Sequence, residues 1–131
     1  MSFKNVLNAT VSNARTIVTR KYICFSGRAG RAEYWMWVIS VSILSSILGL
    51  LPGKLGCLLS NILLVAIALP TLGAAVRRMH DTGRSGWVIL LNIIPIIGNL
   101  IFLYFAIQPG SRGANTYGEE PAPVPGIEPH K

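Results

Sequence analysis

The sequence predicts an all-α membrane protein, with three transmembrane helices preceded by an amphipathic helix lying in the interface. Three observations carry that expectation. Only 13% of the 131 residues are charged, about half the share found in soluble domains. The mean hydropathy is +0.51. The charges are also clustered, and between the clusters lie uncharged runs at residues 34–53, 55–76 and 85–111. About 20 helical residues cross a hydrocarbon core of about 30 Å, so each run accommodates one span and none accommodates two.

Taken in order, residues 1–22 form the interfacial helix. Phe3, Leu7, Val11, Ala14 and Val18 recur at helical spacing, while Lys4, Asn8, Ser12 and Arg15 fall on another face. That division suits the boundary between head groups and acyl chains. Residues 23–112 form the membrane domain, with spans at 34–52, 56–76 and 87–107. Tyr34, Trp35, Trp37 and Trp87 belong to an aromatic belt. Ser42 with Ser46, and Ser45 with Gly49, place small residues four apart, where membrane helices approach closely. Pro70 has no N–H for the carbonyl of Ala66 and kinks span two. Residues 113–131 form a flexible tail, with Pro121, Pro123, Pro125 and Pro129 among glutamates. A cleaved signal peptide is not expected, because the first apolar run starts late and is as long as a full span.

The formal net charge of +7 is an orientation signal rather than a nucleic-acid signature. Lys4, Arg15, Arg20, Lys21, Arg28 and Arg31 precede span one, and Arg77, Arg78 and Arg84 join spans two and three. Only Lys54, Arg112 and Lys131 lie on the other side. The positive-inside rule then places the N-terminus in the cytoplasm, and three spans place the C-terminus outside. Pro95 and Gly98 interrupt span three, and a re-entrant hairpin there would return the tail to the cytoplasmic side. Asn61 and Asn99, at similar depth in continuous spans, are expected to hydrogen-bond across the helix interface.

Two polar motifs flank the spans: Phe25-Ser-Gly-Arg28-Ala-Gly-Arg31-Ala-Glu33-Tyr34-Trp35, and Arg77-Arg78-Met-His80-Asp81-Thr-Gly83-Arg84-Ser85-Gly86-Trp87. Gly27 permits a bend, Ser26 caps a helix starting near Arg28, Gly83 supplies a positive φ, and Ser85 caps span three. Folding gathers Arg28, Arg31, Glu33, Arg77, Arg78, His80, Asp81 and Arg84 at one surface. Three chemistries compete for this cluster. Glu33 and Asp81 can bridge arginines in an internal ion-pair network, or the arginine forks can bind an anionic head group. In the third, His80 acts as a general base oriented by Asp81. The third is the weakest, because adjacent residues rarely face each other and no nucleophile stands out beyond Thr82 and Ser85. No Cys/His spacing suggests a metal, no cofactor is expected, and Cys24 and Cys57 fall on opposite sides.

Together with Asn115-Thr-Tyr117-Gly118, these motifs closely resemble the bacterial membrane proteins grouped as Domain of Unknown Function 805, over roughly residues 20 to 120. Ala29-Gly30 departs from the more basic pair the resemblance leads one to expect. The resemblance implies a helical inner-membrane protein and carries over no catalytic residue. The expected function is that of a small non-enzymatic accessory or interaction protein of the bilayer. Its expected partners are anionic phospholipids, further copies of itself or another membrane protein, and not nucleic acid. The alternatives are a homo-oligomeric transporter or channel subunit and, behind it, a head-group-modifying enzyme.

Overall fold

The computed structural model describes residues 2–122 and is helical throughout its regular elements. The order is α1 (Phe3–Thr19), α2 (Arg31–Gly49), α3 (Lys54–Asp81), a 3-10 helix (Gly86–Ile93) and α4 (Ile97–Ile107). α2 and α3 are long and apolar enough to cross a membrane. α2 begins after Gly30 with Glu33 in its first turn, where a carboxylate complements the helix dipole. This start lies three residues beyond the one expected, and Ser26 makes no cap. Pro52 and Gly53, the latter at φ 69°, end α2 and reverse the chain into α3.

α2 and α3 pack as an antiparallel pair. Ser45 and Gly49 meet Ser60, whose hydroxyl donates to the Ser45 carbonyl at 3.2 Å. Ser42 and Ser46 instead bond back to carbonyls of their own helix. Nearer the charged end, the Trp37 indole N–H donates to Thr71 Oγ1 at 3.1 Å. There Ala74 and Ala75 let Trp37, Tyr34, Met79, Ile17 and Ala106 close into the core. α1 packs across this end through Ala9, Asn13 and Ile17. Ala14 packs partly against the core, whereas Phe3, Leu7, Val11 and Val18 are exposed on a separate face.

The third apolar run is not a continuous helix. Its 3-10 arm starts at Gly86, beside Val76 and His80 of α3, while Ala106 at the far end of α4 touches Arg78 of the same α3 turns. Both ends of the run therefore lie at the same end of α3, and the run is a hairpin. Pro95 causes the reversal. It drives Ile94 into extended backbone (φ −81°, ψ 110°), which ends the 3-10 arm. Ile96 then adopts φ 66°, ψ −70°, and the Ile97 N–H bonds the Pro95 carbonyl at 2.8 Å. That is a strained γ-turn for a β-branched residue. Gly98 lets the arms touch, because a Cβ there would fall on the Leu91 carbonyl. Each arm is roughly 16 Å long, against roughly 42 Å for α3. The third spanning helix expected at 87–107 is thus replaced by two short arms. The chain after α4 runs at the Asp81 end of the bundle, not at the Lys54 end as a through-going span would require. Residues 113–118, expected as the start of a flexible tail, form a turn docked at that end. The expected tail from residue 123 onward lies outside the described residues.

Pro70 sits buried within α3. The carbonyl of Ala66, left without its helical donor, accepts the hydroxyl of Tyr22 from the loop after α1. Tyr22→Phe is expected to lower stability in micelles by about 1 kcal/mol, since it leaves that carbonyl unpaired. In a Pro70→Ala background the restored N–H makes the loss negligible. Equal losses in both backgrounds, measured by thermal unfolding, would show that the hydroxyl does not act through the carbonyl that Pro70 frees.

Candidate functional site: a buried arginine cluster

Consecutive residues on an α-helix point about 100° apart, so Arg77 and Arg78 leave the end of α3 toward different neighbours. Arg77 turns to α2. Its Nη1 meets Glu33 Oε1 at 2.6 Å, and its Nε donates to the Cys24 carbonyl at 3.2 Å. Lys21 Nζ reaches the same Glu33 oxygen at 2.8 Å. The loop can approach this closely because Gly73 faces the Cys24 carbonyl, where a Cβ would collide. Arg77 Nη2 is buried with no partner. Asn13 of α1 completes this side by donating to the Glu33 carbonyl at 2.9 Å.

Arg78 turns to α4. Its Nε donates to the Ala106 carbonyl at 2.9 Å and its Nη2 to that of Gln108. These carbonyls belong to the C-terminal end of α4, where helical partners run out and the dipole is negative. Nη1 pairs with Asp81 Oδ2 and also reaches the Ala29 carbonyl at 3.2 Å. Arg28 meets the other Asp81 oxygen, with Nε and Nη2 each 3.0 Å from Oδ1, and donates to the carbonyls of Ser111 and Gly113. The Ser111 N–H returns to the Asp81 carbonyl at 2.7 Å, and Gly110 leaves room for the carboxylate. The side chains of Arg28, Arg78 and Asp81 are 1%, 0% and 5% exposed. This is an interior network rather than a surface patch.

His80 and Asp81 do not act on each other. His80 Nδ1 lies 3.0 Å from the Gly27 carbonyl, and its ring stacks on Tyr117 with centroids 4.0 Å apart and planes 2° apart. The Asn115 amide donates to the His80 carbonyl and, through Oδ1, accepts from the Tyr117 N–H. The Asn-Thr-Tyr-Gly motif is therefore a small turn clasped onto His80. Gly83 has the expected positive φ of 78°, and Ser85 caps the 3-10 arm through the Trp87 N–H.

Two of the expected cluster members stand apart. Arg31 is exposed at the first residue of α2. Arg84 lies over the ring of Phe105, 4.0 Å from its centroid, as a cation–π pair. Asn61 and Asn99 do not meet. Asn61 is exposed and its amide donates to Cys57 Sγ at 3.4 Å, while Asn99 is exposed in the first turn of α4. Their similar depth was reckoned along a continuous third span, and the turn at Pro95 removes that premise. Lys21, Tyr22, Asn13 and the loop carbonyls at 106–113 were not foreseen. They carry no motif, and several act through backbone atoms. Among the described residues, no group of three or more His, Cys, Asp or Glu side chains gathers to hold a metal.

Replacing Asp81 by Asn leaves two buried guanidinium groups facing an uncharged amide. The expected loss is about 3 kcal/mol or more, the cost of breaking a buried pair, with proteolysis first freeing the segment after α4. Glu33→Gln is expected to cost less, because it strands one buried guanidinium, that of Arg77, rather than two, and Lys21 is a third exposed and rehydrates. Equal melting temperatures for the wild type and Asp81→Asn would refute the central role of this carboxylate.

The family described as Protein of unknown function (DUF805) matches residues 22–119. Inner membrane protein YhaI of Escherichia coli K12 is 43% identical over 107 residues, covering 79% of this chain and 91% of the relative. Inner membrane protein YhaH of the same strain is 40% identical over 111 residues, covering 79% and 92%. No solved structure matches. The matched stretch holds both arginine motifs, the hairpin and the turn that clasps His80, so the chain belongs to the DUF805 family of bacterial inner-membrane proteins.

Proposed function

We propose that this chain is a non-enzymatic accessory protein of the bacterial inner membrane, anchored by α2 and α3 with a re-entrant hairpin beside them. Its basic end faces the cytoplasm and recognises anionic lipid head groups. The observation that carries this reading is the sorting of charge along the bundle. Arg28, Arg31, Arg77, Arg78, Arg84, Arg112 and Lys21 gather where α3 ends, whereas Lys54 opens α3 at the opposite end. The hairpin brings Arg112 to the basic end, which supports a cytoplasmic setting for both flanks of the bundle by the positive-inside rule.

Within that end, roles divide by burial. Arg28, Arg77 and Arg78 are enclosed and engaged by Glu33, Asp81 and carbonyls, so they hold the fold. Arg31 and Arg84 are engaged by neither carboxylate and can meet phosphate. His80 is held between Gly27 and Tyr117, away from Asp81, which speaks against a general-base pair.

Each exposed cation near an anionic surface contributes about 1 kcal/mol, or about fivefold in partitioning. Full-length protein in mixed phosphatidylcholine and phosphatidylglycerol vesicles, followed by native mass spectrometry, is expected to retain phosphatidylglycerol preferentially. Arg31→Ala and Arg84→Ala are each expected to reduce that preference about fivefold. Identical lipid profiles for all three proteins would refute head-group recognition. Orientation is tested separately, with Cys24 replaced by Ser. Native Cys57, exposed near the start of α3, should react with an impermeant maleimide from outside intact spheroplasts. Thr116→Cys should react only after lysis. Labelling of both from the same side would overturn the topology.

A further inference from the structure

The bundle carries a cleft of about 380 Å3 between α2, α3 and the re-entrant hairpin, open to the exterior. That volume falls within the range of small-molecule sites. Its walls are chiefly Leu64, Ile67, Ala68, Leu72, Ala75 and Phe102. Thr71 also lines it, but its hydroxyl is taken by Trp37, and Asn92 on the hairpin is the polar exception. We infer that this cleft holds one acyl chain of an anionic phospholipid from the leaflet at the basic end, with the phosphate of that lipid on Arg31.

Length, volume and charge select this occupant. From Ala75 to Leu64 the cleft follows α3 for roughly 16 Å, and one leaflet of the hydrocarbon core is about 15 Å deep. A helix of that length, about 10 Å across with its side chains, takes up roughly three times the volume available. A helix from a second copy could therefore cover the cleft but not enter it. Charge marks the upper end. Tyr34 lines the cleft one turn beyond the exposed Arg31 on the same face of α2. Phe102 lies one turn before Phe105, over which Arg84 sits. Arg31 and Arg84, neither of them in the internal ion pairs, thus flank the place where the head group of a seated chain would emerge.

The inference rests on the head-group reading above, and the two can fail separately. Full-length protein is reconstituted in vesicles of phosphatidylglycerol and phosphatidylcholine, diluted into detergent, and weighed with its retained lipid. Ala68→Phe fills the cleft and should lower retention of both lipids at least tenfold. Val65→Phe, on the neighbouring outward position where Val65 is 77% exposed, should change nothing. Arg31→Ala should keep a lipid but reduce the preference for phosphatidylglycerol about fivefold. Equal retention by Ala68→Phe and Val65→Phe overturns the cleft, even if the wild type still prefers the anionic lipid. Equal retention of the two lipids by the wild type overturns the head-group reading and this assignment of Arg31, even if Ala68→Phe still releases the chain.

A second measurement on the wild type does not depend on any variant folding. Phosphatidylglycerol with a photoreactive acyl chain should label Ile67 and Phe102 above Ile43 and Ile62, which face outward. Uniform labelling, or cross-linked dimers that shield Ile67 and Phe102 without lipid attached, would overturn the proposal.

Discussion

Asp81 ties together three stretches of chain that are far apart in sequence. Arg28 reaches its carboxylate from the loop before α2, Arg78 reaches it from its own helix, and the Ser111 N–H binds its backbone carbonyl from the segment after α4. A carboxylate can serve two guanidinium groups because each of its oxygens accepts independently, and each arginine has donors left for nearby carbonyls. Lysine, a point donor on a flexible stem, could not cap the end of α4 and pair with Asp81 at once. The buried positive charge exceeds the buried negative charge, and the difference is met by backbone carbonyls at 29, 106, 108, 111 and 113. Polar backbone that would be a liability beside hydrocarbon is thereby used as the counter-charge.

This arrangement divides the molecule. The buried hydrophobic cluster of Ile17, Tyr34, Trp37, Ala74, Ala75, Met79 and Ala106 lies against the ion pairs, so packing and electrostatics reinforce one end. Toward Lys54 the bundle thins to α2 and α3, joined by small residues at Ser45, Gly49 and Ser60. Lipid tails offer no hydrophobic drive to association, and close approach of small residues supplies the contact there. Specificity for the fold therefore resides at the charged end, where a wrong pairing would strand a buried charge.

The long elements were readable because their signals are local. Uncharged runs bounded by Gly30, Pro52 and Gly53 delimit α2 and α3, and the positive φ of Gly83 and the cap at Ser85 follow from residue type. The family was readable from two motifs and a short turn sequence. The third run was not, because Pro95 within apolar sequence is compatible with a kinked span and with a reversal. What separates the two is tertiary. Arg78 and Arg28 take carbonyls from residues 106–113, and hydropathy carries no trace of such an attraction. The same cause undid the pairing of Asn61 with Asn99. Residue identity located the cluster members, but not which would be enclosed. Arg31 and Arg28 sit three apart, yet one is exposed and the other is 7% exposed, because only Arg28 faces the returning chain.

The hairpin reaches less than half the length of α3, and this has a mechanical consequence for the surrounding bilayer. In a membrane crossed by α2 and α3, the leaflet at the basic end would accommodate four segments in cross-section, those two helices and both arms of the hairpin. The opposite leaflet would accommodate two. Such a fold acts as a wedge, displacing more area on one side than on the other. Lipids near the narrow end must tilt or spread beneath the γ-turn at Ile96, so membrane curvature becomes a variable to which this small fold is coupled by shape alone.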